Sequence, residues 1–203
     1  VRCYIGKNSI GKTPTAIYDS IAYQRDHPKK KIIVYDSQDK FDAQRKAGRL
    51  RIDLLISKNN KDWADQLQEY EIVNGEKKYI WAHSHLILDD YRGLLRGNDM
   101  PADFWNLFAM RPAPHFNMDM SIICHEPRNI LEGLKGYISH YHIFANEADA
   151  TQYENKISCW YKCQQAALAI NKYESLYRGY YDVIMKMPYF PHIVVEKEKP
   201  EPF

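Results

Sequence analysis

An eight-residue stretch near the start of the sequence, GKNSIGKT at positions 6–13, constrains the fold more than any other feature. It matches G-x-x-x-x-G-K-[ST] at every fixed position, a pattern typical of a phosphate-binding loop between a strand and a helix. The apolar run from Cys3 to Ile5 reads as the end of that strand, and residues 15–25 carry apolar side chains at helical spacing. Pro14 falls in the first helical turn, where its missing N–H removes no hydrogen bond.

The residues of this loop have the chemistry that a bound nucleotide needs. Gly6 and Gly11 let the backbone curl so that successive N–H groups converge on phosphate oxygens, and the helix N-terminus adds the positive end of its dipole. Lys12 is a point charge for the β- and γ-phosphates, and the Thr13 hydroxyl is a hard oxygen ligand for Mg²⁺. We predict that the phosphates are bound by Gly6, Lys7, Asn8, Ser9, Ile10, Gly11, Lys12, Thr13 and Pro14.

A second stretch, LILDD at positions 86–90, runs from apolar residues into paired acids. The pattern is that of a Walker B strand, which would deliver Asp89 to the Mg²⁺ shell beside Thr13. Asp90 would then lie within reach of a water molecule aligned on the γ-phosphate. Many buried strands end in acids, so the signal gains its strength from following a phosphate-binding loop in the right order.

The bulk composition is that of one ordinary globular α/β domain. The chain has 203 residues, of which 45% are hydrophobic and 27% charged, and its net charge of +2 does not by itself indicate nucleic acid. No run approaches the ~20 apolar residues of a membrane span, and no signal peptide is found, so we expect a cytoplasmic protein. We predict one domain over residues 1–195 and a disordered tail over 196–203. The four cysteines are expected to be reduced thiols.

Further elements follow from hydrophobic spacing and turn residues. The β-branched run 32–36 predicts a strand of a parallel sheet, and Asn74-Gly75 predicts a hairpin insertion at about 70–81. The segment 40–51 is the most basic window, interpreted as a solvated helical face in preference to a nucleic-acid contact. We also predict helices at 61–69, 100–110, 127–136 and from Asp149, and strands at 51–56, 119–125, 141–144, 180–187 and 192–195.

Four places in the sequence together resemble the FtsK–HerA group of P-loop ATPases, which includes viral genome-packaging ATPases and Zot-type phage proteins. They are GKNSIGKT at 6–13, IIVYDSQDKF at 32–41, LILDD at 86–90 and DMSIICHEP at 119–127. The resemblance covers about residues 1–145. It implies an α/β P-loop NTPase fold of the RecA-like (ASCE) type, a three-layer sandwich with a mainly parallel central sheet and here a small β-hairpin insertion. It also implies ATP and Mg²⁺ as cofactors.

Two positions depart from the pattern of the group. The acid after the Walker B aspartate is Asp90, where the group usually has glutamate, and the polar sensor at the end of the third functional strand is Cys124 or His125 in place of glutamine. We assign Lys12, Asp90, Arg111 and His125 as catalytic residues. Glu126 is the next acid to test if Asp90 is not the one that orients water.

The resemblance also implies a ring, usually a hexamer, in which a neighbouring subunit inserts an arginine finger against the γ-phosphate. Arg111 is the first choice, and the other candidates are Arg92, Arg96 and Arg128. For each of them the alternative is a surface salt bridge.

Three functions are compatible with these features. The leading hypothesis is an ATPase motor that moves DNA during packaging or extrusion of a viral or mobile-element genome, in the host cytoplasm or associated with a virion. Its partners would be DNA, further copies of the chain, and capsid or membrane assembly proteins. The alternatives are a Zot-type, nucleotide-switched assembly or secretion protein and a P-loop kinase.

Overall fold

The computed structural model describes residues 1–57, 63–90, 118–130, 136–146, 153–154, 157, 159–177 and 192–197. Within these ranges the chain alternates strands and helices from its first residues onward. The elements are β1 (Arg2–Ile5), α1 (Lys12–Asp26), β2 (Ile32–Asp36), α2 (Lys40–Lys46), β3 (Leu54–Ser57), α3 (Trp63–Leu67), β4 (Tyr70–Val73), β5 (Glu76–Tyr79), β6 (His85–Asp89), β7 (Asp119–Cys124), a 3-10 turn (Pro127–Asn129), β8 (His140–Ile143), α4 (Trp160–Tyr177) and β9 (Ile193–Glu196).

A seven-stranded sheet forms the centre of the fold, in the order β3-β2-β6-β7-β1-β8-β9. β2 pairs in parallel with β3 and β6, and β1 pairs in parallel with β8. β9 closes one edge antiparallel to β8. β4 and β5 form a separate antiparallel ribbon. The predicted, mainly parallel central sheet and the predicted hairpin insertion are both confirmed.

The chain divides into two compact units, one of residues 1–18 with 122–203 and the other of residues 19–121. The divisions fall inside α1 and inside β7. The prediction of a single domain over 1–195 stays a prediction, and residues 198–203 of the predicted tail lie outside the described residues. Among the described helices, none has the length and apolar character that crossing a membrane requires.

The first unit carries the glycine-rich loop directly after a strand whose last three residues are buried. Cys3, Tyr4 and Ile5 of β1 have no exposed surface, and their neighbours on β8 are Tyr141, His142 and Ile143. A strand buried on both faces cannot shift along its neighbour without exposing apolar surface, so its register is strongly fixed. The loop therefore begins at a well-defined point, directly after Ile5.

The second unit brings two acidic strand ends side by side. All five residues of β2 and all five of β6 are buried, as expected for interior strands of a parallel sheet. Val34 lies opposite Ile87, and the register then places Asp36 opposite Asp89 at the carboxyl ends of the two strands. In open parallel sheets this is the end at which ligands bind.

Several predicted elements differ from the structure or lie outside the described residues. The helix predicted from Pro127 is wrong at its start, because Asn129 and Ile130 donate N–H groups to carbonyls three residues earlier and Ile130 is already extended. The structure therefore has a short 3-10 turn there. The described α4 begins at Trp160. The predicted helix at 100–110 and strand at 180–187 lie outside the described residues.

Candidate nucleotide-binding site

Two backbone hydrogen bonds anchor the base of the loop. The N–H of Gly6 donates to the carbonyl of Cys124 at the end of β7 (3.4 Å), and the N–H of Lys7 donates to the carbonyl of Ala145 just after β8 (2.9 Å). Further along, Ser9 and Gly11 have positive φ angles of 58° and 95°. Left-handed residues in such a loop turn successive N–H groups toward one point, which is the geometry of an anion-binding concavity.

Gly6 lies where no side chain fits. A Cβ atom at this position would lie 2.6 Å from Cβ of Phe144, 3.1 Å from the carbonyl oxygen of Ala145 and 3.2 Å from Cγ2 of Ile10. The first of these contacts is far inside van der Waals distance. The first glycine of the motif is therefore required by the packing of the loop against the segment after β8.

The side chain of Lys12 folds back over the loop. Its Nζ donates a hydrogen bond to the carbonyl of Lys7 (2.6 Å) and lies 3.2 Å from Nδ1 of His125, and the residue is only 4% exposed. A lysine ammonium has donors and no acceptor. Nδ1 of His125 therefore accepts the second bond, which leaves the ring proton on Nε2. The positive charge of the loop is thus fixed by two acceptors at its rim.

The two candidate sensor residues at the end of β7 have different surroundings. The Sγ of Cys124 lies 3.8 Å from the Sγ of Cys3, and both thiols are buried in the core. Burial and the neighbouring thiol together raise the pKa of Cys3 well above its ordinary value. His125, one residue further, contacts Lys12. The geometry therefore favours His125 over Cys124 as the residue that responds to phosphate.

Asp36, at the end of β2, has a structural role. Its carboxylate accepts backbone N–H groups from Gln38, Lys40 and Asp42 at 3.4, 3.1 and 2.9 Å. These bonds satisfy donors at the start of α2 that have no partner within the helix. The side chain of Asp36 thus sets the sharp turn from β2 into α2.

Asp90 follows β6 in a left-handed backbone conformation, with φ of 49°. Asparagine and aspartate tolerate this conformation better than other residues with a side chain. Burial raises the pKa of the Tyr35 phenol, and the nearby charges of Asp90 and Asp89 raise it further. The backbone conformation gives a physical reason for aspartate in preference to glutamate at this position.

The described residues contain no group of three or more His, Cys, Asp and Glu side chains placed to hold a metal ion. Mg²⁺ is usually held by one or two protein oxygens together with substrate phosphates and water. Thr13 and Asp89, the two predicted ligands, are 7% and 2% exposed. Both side chains are of a type that fits Mg²⁺.

The candidate arginine fingers are not described. Arg92, Arg96 and Arg111 lie outside the described residues, and so does the side chain of Arg128. The assignment of Arg111 stays a prediction from the sequence.

Most cations of the basic window 40–51 are already paired within the protein. Arg45 and Lys46 lie 2.6 and 2.7 Å from the carboxylate of Asp42, and these two cations lower the pKa of Asp42. Arg51 contacts Asp53 and donates to the carbonyl of Lys30. These contacts favour the interpretation of the segment as a solvated face.

The hydrogen-bonded segment after β8, against which the loop packs, was not predicted from the sequence. The carbonyl of Ala145 accepts the N–H of Lys7, and Asn146 beside it exchanges hydrogen bonds of 2.6 and 3.0 Å with Asn171 of α4. Tyr153 donates to the side-chain oxygen of Asn146 at 2.8 Å. Backbone acceptors such as Ala145 leave no residue-type signature in the sequence, whereas a polar residue such as Asn146 directly after a buried strand does.

Comparison with known proteins gives a match in fold. A scan of protein-family models finds no match, and a search of curated proteins finds none either. Among solved structures, the DNA-packaging ATPase B204 of Sulfolobus turreted icosahedral virus matches with a TM-score of 0.56 and 16% identity over 84% of this chain and 86% of that one. The genome-packaging NTPase B204 of Sulfolobus turreted icosahedral virus 2 matches with AMP bound, at a TM-score of 0.55 and 14% identity over 85% and 86%.

The same protein in complex with ATP-gammaS matches with a TM-score of 0.53 and 12% identity over 84% of this chain and 85% of that one. At identities this low, the similarity shows the fold. The predicted class, an α/β P-loop NTPase fold with a mainly parallel central sheet, is therefore confirmed.

Proposed function

We propose that this protein is an ATPase that couples ATP hydrolysis to the movement of DNA, in packaging or extrusion of a viral or mobile-element genome. The observation that carries the proposal is the loop geometry, in which buried Lys12 lies between the carbonyl of Lys7 and His125 over a curled backbone. The similar fold of B204, described as a genome-packaging NTPase and as a DNA-packaging ATPase, supports it.

In the proposed reaction, a water oxygen attacks the γ-phosphorus and the bond to the bridging oxygen of ADP breaks. Lys12 leaves its two acceptors and neutralises the β- and γ-phosphates. Asp90 orients the attacking water and accepts its proton. His125 loses the hydrogen bond from Lys12 when phosphate binds and so senses occupancy. Arg111 of a neighbouring subunit stabilises the charge of the transferred phosphoryl group.

The proposed metal is Mg²⁺, with Thr13 and Asp89 as ligands. Replacing Asp89 with asparagine keeps the shape of this buried side chain and removes its charge. We expect Asp89→Asn to weaken ATP binding at least tenfold when Mg²⁺ is present and to change it little in EDTA. Titration with a fluorescent ATP analogue in the two buffers measures this difference. An equal loss in both buffers would contradict a metal role for Asp89.

The proposed assembly is a ring of identical subunits, a hexamer of the FtsK–HerA type. Its further partners are DNA and capsid or membrane assembly proteins, and its place is the host cytoplasm or the virion. The alternatives are a Zot-type assembly or secretion protein and a P-loop kinase.

The decisive experiment is ATP hydrolysis with and without DNA, on protein of measured oligomeric state. The motor proposal requires that DNA raise the turnover of an oligomer. Hydrolysis that DNA does not stimulate would favour the nucleotide-switched assembly protein. Phosphoryl transfer to a small acceptor in place of water would identify the kinase.

A further inference from the structure

The β4–β5 hairpin is an isolated ribbon with an exposed surface. Its two strands pair only with each other in the described sheets, and all four residues of β4 and three of the four in β5 are exposed. The turn between them is Asn74-Gly75, with φ angles of 54° and 82°, which suits the twist of a two-residue hairpin. An isolated two-stranded ribbon is only marginally stable in water. Apolar side chains exposed on such a ribbon add nothing to a core, which suggests that they contact a partner.

The two faces of this hairpin differ in chemistry. Residues that pair across an antiparallel ladder point to the same face. By the observed register, the acids Glu71 and Glu76 share one face with Lys78 and Val73. The other face, called the aromatic face below, carries two tyrosines, one isoleucine and one lysine and has no acid: Tyr70, Ile72, Lys77 and Tyr79.

Contacts within the aromatic face hold it in a defined arrangement. The ring centroids of Tyr70 and Tyr79 are 6.1 Å apart in an edge-to-face geometry, and Nζ of Lys77 lies 4.2 Å from the centroid of the Tyr70 ring. Ile72 is 63% exposed, the largest value among the large apolar side chains of the described residues. The hairpin thus presents rings, an aliphatic side chain and a cation together to solvent.

We propose that the aromatic face of the hairpin binds a DNA strand, an inference that rests on the proposed function. Base faces pack on aromatic and aliphatic side chains, and a nearby lysine pairs with a phosphate. Placing both acids on the opposite face removes repulsion from the phosphates. The lysine beside exposed rings therefore fits the phosphates and base faces of nucleic acid better than a purely apolar or a basic partner. The cations of the 40–51 window are largely paired internally, which leaves the hairpin as the better candidate contact.

The hairpin supplies its own matched controls, because its two faces carry equivalent residues. Lys77→Gln removes a cation from the aromatic face and Lys78→Gln removes one from the opposite face. Ile72→Ser and Val73→Ser do the same for exposed aliphatic side chains, at 63% and 41% exposure. Binding of a labelled single-stranded DNA oligonucleotide, and of a duplex of the same length, is measured by fluorescence anisotropy over a range of salt concentrations. Melting temperature and oligomeric state are recorded for every variant.

On the single strand, Ile72→Ser is expected to weaken binding about fivefold and Val73→Ser less than twofold. Lys77→Gln should reduce the slope of log affinity against log salt by about 0.7, the value for one phosphate contact on a single strand, whereas Lys78→Gln should not. On the duplex, whose base faces are stacked, the effect of Ile72→Ser should shrink while that of Lys77→Gln remains.

Equal effects of the two faces, with DNA-stimulated hydrolysis intact, would overturn the hairpin proposal and leave the motor proposal standing. A change of oligomeric state in the aromatic-face variants, without a change in DNA affinity, would also overturn it and identify a protein interface. Wild-type protein that neither binds DNA nor responds to it would overturn both proposals.

Discussion

Position 6 has room for glycine but for no larger residue, because the loop lies directly against the segment after β8. A Cβ there would lie 2.6 Å from Cβ of Phe144, an atom fixed to the backbone that no rotamer change can move away. The loop and its backbone hydrogen bonds to Cys124 and Ala145 would have to shift together. The same shift would displace the N–H groups that are proposed to hold phosphate.

We therefore expect Gly6→Ala to lower the free energy of unfolding by about 1–3 kcal/mol, the usual cost of overpacking, and to abolish ATP binding. Urea unfolding and nucleotide titration measure the two effects. Gly136→Ala is the matched control, because a Cβ at Gly136 meets no atom of the described residues within 4 Å, and it should change stability by less than about 0.5 kcal/mol. Equal stability of the two variants would contradict the packing argument.

Asp90 combines a functional assignment with an unusual backbone, so its substitutions separate the two. Asn tolerates the left-handed conformation as Asp does, so Asp90→Asn should leave stability and ATP affinity nearly unchanged while lowering turnover about 10²-fold or more. Asp90→Glu keeps the carboxylate but should cost about 1 kcal/mol of stability, because glutamate does not favour φ of 49°. Turnover of Asp90→Asn at the wild-type rate would move the assignment to another acid, with Glu126 tested next.

At the scale of elements, three polar side chains tie the end of α1 to the start of β7. Tyr23 on α1 and Lys30 in the following loop both donate to the same carboxylate oxygen of Asp119, the latter at 2.6 Å. The ring of Tyr23 packs on His85 with centroids 4.4 Å apart, and His85 lies 2.9 Å from the hydroxyl of Ser121. The cluster joins α1, β6 and β7 within the second unit.

This cluster makes stability depend on pH on the acid side. Burial on its own would raise the pKa of Asp119, but the hydrogen bonds from Lys30 and Tyr23 outweigh burial and lower it. A carboxylate whose pKa is lower in the folded state stabilises the protein above its unfolded pKa of about 3.9 and loses that contribution as the pH falls through the folded value. With a side chain 51% exposed, the contribution is screened to about 0.5–1 kcal/mol.

Asp119→Asn should therefore lower the free energy of unfolding at neutral pH, with the difference from wild type vanishing as the pH falls from about 5 toward 2. Urea unfolding at several pH values measures it. The control is the same change in a Lys30→Gln background, where the loss should be smaller because one donor to the carboxylate is gone. A difference that is the same at every pH would show that charge is not the cause.

Elements with strong local signals were predictable, and those set by tertiary contacts were not. The loop, α1 and the parallel strands followed from a motif and from continuous apolar runs, and the hairpin followed from Asn74-Gly75. The register that pairs Asp36 with Asp89 depends on contacts between distant segments. Whether Cys124 or His125 faces Lys12 depends on where β7 ends. The start of the helix predicted from Pro127 was wrong because proline is accommodated in the first turn of a 3-10 helix as well as in that of an α-helix.

At the scale of the whole molecule, the proposed reaction lacks one group in what the structure describes. Lys12 contacts His125 in the first unit, and Asp90 follows β6 in the second unit, but the side chains of the candidate arginines lie outside the described residues. A motor that works as a ring would take this charge from a neighbouring subunit, so that each site lies at a boundary between two copies. Such a site predicts a specific pattern when two inactive variants are mixed.

Arg111→Ala should retain ATP binding and lose turnover by about 10³-fold or more, the usual contribution of an arginine finger. Lys12→Ala should lose ATP binding, because the charge for the β- and γ-phosphates is gone. When Lys12→Ala protein is added in excess to Arg111→Ala protein, part of the activity should return. The Lys12→Ala subunits still offer Arg111 to the intact loops of the Arg111→Ala subunits. The control is the Lys12→Ala/Arg111→Ala double variant, which cannot donate the arginine and should restore nothing.

A steady-state ATPase assay over a range of mixing ratios and protein concentrations measures the rescue. A monomer whose specific activity is independent of concentration and indifferent to DNA would contradict the shared site, because every catalytic group would then have to come from one chain.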